Sequence, residues 1–111
     1  MNTVIQVLLT DDHTLVREGL RQLLEATADI RVKDEAANGE QALALVKTND
    51  YDLAVLDMSM PGLSGIELIK RLRAERPRLR LLVLSMHAEE QYAVRALKAG
   101  ASGYLTKDSA S

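Results

Sequence analysis

Short, β-rich apolar runs alternate along the chain with longer stretches whose apolar residues recur at helical spacing. Residues 5–9 (IQVLL) form the first run. Over 14–26, Val16, Leu20, Leu23 and Leu24 fall on one side of a helix. Residues 30–36 (IRVKDEA) predict a more polar strand, suited to a sheet edge. Asn38 and Gln41 make a helix-start pair, and Ala42, Leu43 and Val46 then give that helix its apolar side. Residues 53–56 (LAVL) and 81–84 (LLVL) are continuously apolar, as strands buried on both faces are. Between them, Pro61 and Gly62 mark a loop. Ser64 and Glu67 open a helix carrying Ile66, Ile69 and Leu72, which Pro77 ends. Residues 89–99 predict a weaker helix stopped by Gly100, and 103–106 (GYLT) a last short strand.

The predicted order is β-α-β-α-β-α-β-α-β. Such alternation implies an α/β fold with a doubly wound parallel sheet, right-handed crossovers and helices on both faces. In these sheets, sites form beyond the carboxyl ends of the strands, where strand order reverses. With 111 residues, 47% of them apolar, the chain suits one domain with one core. The balance of 14 basic and 16 acidic residues argues against nucleic-acid binding by bulk charge. The lack of cysteine excludes disulfides, a thiolate-held metal and thiol catalysis. No apolar run approaches the roughly 20 residues of a membrane span. The start, MNTVIQVLLTDDH, shows neither a basic region nor a cleavage site, so a cytoplasmic domain with no membrane contact is expected.

The strand ends carry the candidate chemistry. Asp11 and Asp12 follow the first strand, Asp57 ends the third, Ser85 the fourth, and Lys107 follows the fifth. Two carboxylates about 4 Å apart repel by roughly 4 kcal/mol at an effective dielectric near 20. A converging trio therefore calls for a cation, and an all-oxygen donor set favours Mg²⁺, Mn²⁺ or Ca²⁺ over zinc. Lys107 and Ser85 would then face Asp57 or a phosphoryl oxygen bound there. Singly, each residue has a plainer explanation. Asp12 suits a helix cap, Asp57 a loop entry, and Ser85 and Lys107 a solvated or structural role. The joint pattern carries the inference.

The segments VLLTDDH, DLAVLDMSMPGLSGIEL, LLVLSMHAEE and ALKAGASGYLTK, in this order, resemble the receiver domains of two-component response regulators. The wording DDHTLVREGL and AGASGYLTKD resembles their NarL/FixJ-type branch, with LuxR-type output. The resemblance implies a flavodoxin-like five-stranded sheet of order 2-1-3-4-5. It makes Asp57 the phosphoacceptor for a sensor histidine kinase. Asp12 and Asp57 become direct Mg²⁺ ligands (Mn²⁺ serving equally), with Asp11 acting largely through water and Ser59 through its backbone carbonyl. Ser85 becomes the switch hydroxyl, Tyr104 the aromatic that moves with it, and Lys107 a phosphoryl contact. Residues only of the resemblance, these roles make the chain a signalling phosphoacceptor rather than a general enzyme. They also imply homodimerisation on phosphorylation and a helix-turn-helix domain through which alone DNA is bound. On the residues themselves, Tyr104 reads as a half-buried tyrosine on an edge strand.

Departures matter too. Asp108 stands after Lys107 where many receivers have proline, and a non-proline cis bond costs about 2.5–4 kcal/mol, which argues against one here. The family's fifth helix is expected beyond Ser111, so residues 1–111 are expected to be a receiver domain cut before that helix. His13 is expected to point away from the acidic pair or pack at the helix start, and His87 to sit at the site's mouth or in an exposed loop. Arg71, Arg73, Arg76, Arg78 and Arg80 are expected to form a solvated face suited to a helix C-terminus. An aspartate-nucleophile phosphatase of the haloacid dehalogenase type would need a second aspartate where Ser59 stands. A flavin- or nucleotide-binding module would not place Asp11 and Asp12 against a phosphate. A degenerate receiver acting as an interaction module would not keep the full set of site residues.

Overall fold

A computed structural model describes residues 4–57, 65–85 and 90–106. Five strands lie parallel: β1 (Ile5–Thr10), β2 (Ile30–Ala36), β3 (Leu53–Asp57), β4 (Arg80–Ser85) and β5 (Gly103–Thr106). Their order across the sheet is β2-β1-β3-β4-β5, as the resemblance implies. Four helices alternate with them: α1 (Thr14–Glu25), α2 (Gly39–Thr48), α3 (Gly65–Glu75) and α4 (Glu90–Ala99). None is long and apolar enough to cross a membrane, among the described residues.

The continuous apolar runs are strands because both of their faces are covered. Leu8, Ala54, Leu56, Leu81 and Val83 point to one side, where they meet Val46 of α2, Leu68, Ile69 and Leu72 of α3, and Ala96 of α4. Val7, Leu9, Val32, Val55 and Leu84 point to the other, against Leu20 and Leu24 of α1. Asn38 caps α2, its side chain accepting from the Gln41 N–H at 2.8 Å, while Gln41 Oε1 accepts from the Ala37 N–H at 2.8 Å. The expected pair therefore forms.

The edge strand β2 departs from simple alternation. Its register against β1 slips between Val7 and Leu8: Val7 pairs with Val32, but Leu8 pairs with Asp34. The extra residue, Lys33, turns the following side chains over. Val32 consequently faces α1, whereas Ala36, four positions on, joins the opposite core. Asp34 thereby meets the Tyr51 hydroxyl at 2.6 Å on one side. Glu35 meets Arg17 and Arg21 of α1 on the other, at 3.1 and 2.8 Å.

Those two arginines set the roll of α1. Its contact line runs through 17, 20, 21 and 24, and no residue of the helix is fully buried. Val16 and Leu23, expected to face the sheet, instead lie on an exposed flank with Leu15, at 38%, 64% and 82%. A helix advances 100° per residue, so pairing Arg17 and Arg21 with β2 rolls that flank away.

The arginine cluster is not a uniformly solvated face. Arg71, Arg78 and Arg80 are exposed, but Arg73 and Arg76 are half-buried and bind backbone. Arg73 donates from Nε and Nη2 to the Gly100 carbonyl at 3.1 and 2.6 Å, and from Nη1 to those of Pro77 (2.8 Å) and Leu79. Arg76 Nε donates to the Val46 carbonyl at 2.6 Å. Helix C-termini leave carbonyls without partners, and a multi-donor guanidinium satisfies several at once. Gly100 ends α4 with φ 125°, a conformation that glycine adopts without strain.

Candidate functional site

β1 and β3 are neighbours at the sheet centre, so the residues at their carboxyl ends meet. Asp11 is held almost as a further strand residue, because its N–H donates to the Ala36 carbonyl of β2 at 3.1 Å. Its carboxylate Oδ1 accepts from the His13 N–H at 2.8 Å, an aspartate turn that redirects the chain into α1. Arg17 reaches back from the first turn of α1 and donates to the Asp11 carbonyl at 2.7 Å. Asp57 ends β3 at 1% exposure, and Asp11 is fully buried. Asp12 lies at the rim, its side chain 24% exposed.

Asp11, Asp12, His13 and Asp57 each offer a ligand atom within 4.8 Å of the other three. Buried carboxylates this close repel strongly unless positive charge is shared between them. The oxygen donors suit a hard divalent cation such as Mg²⁺, which keeps several waters and takes few protein ligands. The site thus fits the ion the resemblance implies. The cap reading of Asp12 fails, because His13 occupies the N-cap position of α1.

His13 is the correction. Its ring does not turn away: Nδ1 lies 2.9 Å from Asp12 Oδ1 and 3.5 Å from Asp11 Oδ1. The N-cap residue has extended backbone, φ −104° and ψ 113°, which directs the side chain beside the preceding acidic loop. Arg17 is a further site neighbour that the pattern of the sequence did not single out. It sits one helical turn beyond His13, and its partners are a carbonyl and Glu35 of β2.

Tyr104 is half-buried on the edge strand β5 and packs against the core beside α4. Ser85 closes β4 opposite Thr106, one residue beyond the Leu84 that pairs with Asp57. The Ser85 side chain, Ser59, His87, Lys107 and the Lys107–Asp108 bond lie outside the described residues. A groove of about 810 Å³ opens at the opposite end of the sheet, beside Ile5, Tyr51 and Arg80, and contains none of these carboxylates.

A parallel sheet of order 2-1-3-4-5 with an acidic cluster at the β1 and β3 ends is a receiver-type α/β architecture. The chain belongs to the response regulator receiver domain family, which its residues 7–111 match. Within it the chain falls in the NarL/LuxR-type branch. It is 45% identical over 102 residues to the nitrate/nitrite response regulator protein NarL of Escherichia coli (strain K12), covering 92% of this chain and 47% of that protein. It is 40% identical over 107 residues to the response regulator UvrY of the same strain, covering 96% and 49%. A crystal structure of a LuxR-family two-component response regulator from Aurantimonas sp. SI85-9A1 superposes with TM-score 0.90 at 38% identity, covering 95% of this chain and 75% of that one. The chain spans about half the length of the curated relatives it matches.

Proposed function

We propose that this chain is the phosphorylatable receiver of a transcriptional response regulator, with Asp57 accepting a phosphoryl group from a sensor histidine kinase. The observation that carries the reading is the burial of Asp57 at the end of the central strand, with ligand atoms of Asp11 and Asp12 within 4.8 Å.

A carboxylate oxygen of Asp57 attacks the phosphorus in line. The new O–P bond forms as the N–P bond to the kinase imidazole breaks, and that nitrogen keeps the electron pair. Such transfers need positioning and charge stabilisation more than covalent help. Mg²⁺ or Mn²⁺, when bound, supplies positive charge to the developing phosphoryl oxygens. Asp12 and Asp57 would hold the cation directly, Asp11 largely through water, and Ser59 by its backbone carbonyl. Lys107 pairs with a phosphoryl oxygen, and the Ser85 hydroxyl donates to another. Ser85 engagement biases the segment from β4 to β5, and Tyr104 follows it. The chain catalyses only its own phosphorylation and dephosphorylation. A fifth helix and a helix-turn-helix domain follow in the full protein, which dimerises on phosphorylation and binds DNA through that second domain in the cytoplasm. The doubled length of the relatives supports the further domain.

The test is intact-mass measurement after incubation with Mg²⁺ and acetyl phosphate. One added phosphoryl group, absent without Mg²⁺ and in Asp57→Asn, is the expected result. No gain, either in this chain or in the full-length protein, overturns the reading.

A further inference from the structure

We infer that the His13 imidazole is a ligand of the cation site and tilts it from Mg²⁺ towards borderline divalent ions such as Mn²⁺ and Co²⁺. The inference rests on the cation reading above and adds a nitrogen donor to it. Two observations on the position of His13 support it. One of its ring nitrogens belongs to the four-residue set whose ligand atoms lie within 4.8 Å of one another. Ligands about 2.1 Å from an octahedral ion stand about 3 Å apart when adjacent and about 4.2 Å apart when opposite, so a small contraction would bring the ring nitrogen, Asp12 and Asp57 around one ion, with Asp11 joined through water. The His13 N–H is fixed on Asp11 Oδ1 at 2.8 Å, which ties the ring's backbone to one of the carboxylates.

The ring is also available. It makes no capping hydrogen bond to α1, and its side chain is 63% exposed. It can therefore turn by its own torsions without displacing packed atoms. Its 2.9 Å approach to Asp12 Oδ1 places the nitrogen where a shared ion would sit beside that carboxylate. Imidazole binds manganese, cobalt and zinc readily, whereas Mg²⁺ prefers oxygen and water. A site with one ring nitrogen beside the Asp12 and Asp57 carboxylates thus discriminates differently from one built of carboxylates alone. The rival geometry keeps the ring in the outer shell, donating Nδ1–H to Asp12 as metal-site histidines and carboxylates commonly pair.

Pulsed electron paramagnetic resonance of the Mn²⁺-loaded chain separates the two. The expected result is a coupling to directly bonded ¹⁴N that disappears in His13→Gln. Calorimetric titration with Mg²⁺, Mn²⁺ and Co²⁺ should show the Mn²⁺:Mg²⁺ and Co²⁺:Mg²⁺ affinity ratios falling about tenfold in that variant, at the lower end of what changes around metal ligands cost. Absence of the ¹⁴N coupling while Mn²⁺ is bound overturns the inference and leaves the carboxylate site intact. Persistence of the coupling in His13→Gln, or unchanged ratios, overturns it equally. If wild type binds neither Mg²⁺ nor Mn²⁺, or if Asp12→Asn and Asp57→Asn bind as wild type does, the cation reading itself falls and the inference with it. Circular dichroism of each variant reports folding, and the exposed His13 position should leave it unchanged.

Discussion

Replacing Arg73 by alanine should destabilise the fold more than any other change in the arginine cluster. The guanidinium joins three carbonyls on two connections: Gly100 at the end of α4, and Pro77 and Leu79 before β4. A hydrogen bond from a charged donor contributes about 1.5–3 kcal/mol, and buried acceptors left without one cost a similar amount. The contributions do not add fully, because Arg73 is half-buried and water reaches part of the vacated space. We expect a loss of about 2–4 kcal/mol, a large share of the roughly 5–15 kcal/mol that holds a typical domain. At a urea m-value of about 1.5 kcal/mol/M this lowers the midpoint by about 1–3 M. Arg71→Ala is the control. Arg71 makes an exposed pair with Glu67 at 3.4 Å, of a kind that contributes about 0.3–0.5 kcal/mol. Urea unfolding followed by circular dichroism measures both. A midpoint for Arg73→Ala equal to that of Arg71→Ala would refute the clamp. Gly100→Ala extends the test, because a Cβ there would meet the Arg73 side chain at 3.1–3.2 Å and demand a strained φ. Its cost should shrink in the Arg73→Ala background, where the contacts with Cγ and Nε are gone but the contact with Cβ and the strain stay.

Arg17→Ala should cost about 1–3 kcal/mol through loss of the bond to the Asp11 carbonyl, with high salt recovering little, since that acceptor is uncharged. A loss abolished by salt would assign Arg17 to surface ion pairing instead. The Glu25 carboxyl is held below the usual 4.5 chiefly by the Val32 N–H and then by Arg21. A carboxyl lowered by folding stabilises the native state above its unfolded pKa and loses that contribution as pH falls through the folded value. Wild type should therefore outlast Glu25→Gln near neutral pH, and the gap should close in acid; a gap that widens in acid contradicts the assignment. The Tyr51 phenol is raised above 10, first by burial and then by Asp34. Its contribution is present below pH 10 and is lost above it, so absorbance titration should show one of the three tyrosines ionising late, and Tyr51→Phe should remove that step.

The buried strands were legible because their chemistry is one-dimensional: LAVL and LLVL are apolar on both faces, and no register choice can expose them. The acidic trio was legible for a related reason. Parallel topology places the residues after neighbouring strands together, whatever lies between them, and Asp11, Asp12 and Asp57 do converge. Four features were not legible. The slip in β2 breaks the period of two, so Val32 and Ala36 share parity but not a face. The roll of α1 is set by ion pairs to Glu35, which the apolar pattern alone cannot weigh. The clamps of Arg73 and Arg76 bind carbonyls, and every residue has one, so their partners leave no mark in the sequence. His13 escaped for a subtler reason: its direction follows from the extended backbone of a cap position, not from its neighbours' chemistry.

The slip in β2 also bears on how the molecule behaves in a crowd. β2 is one of the two outer strands of the sheet, and no other strand among the described residues pairs with the row of backbone donors and acceptors on its far side, although the Val32 N–H donates to the Glu25 carboxylate. Such a row is a template on which a second chain can add a strand, and from there a fibril can grow. A template works only when its repeat is regular. The extra residue at Lys33 twists the row out of step midway along its length, and the exposed charges of Arg31 and Lys33 flank the break. Deleting Lys33 would straighten that border and restore the repeat. The cost would then appear less in the folding of single molecules than in their tendency to stick to one another.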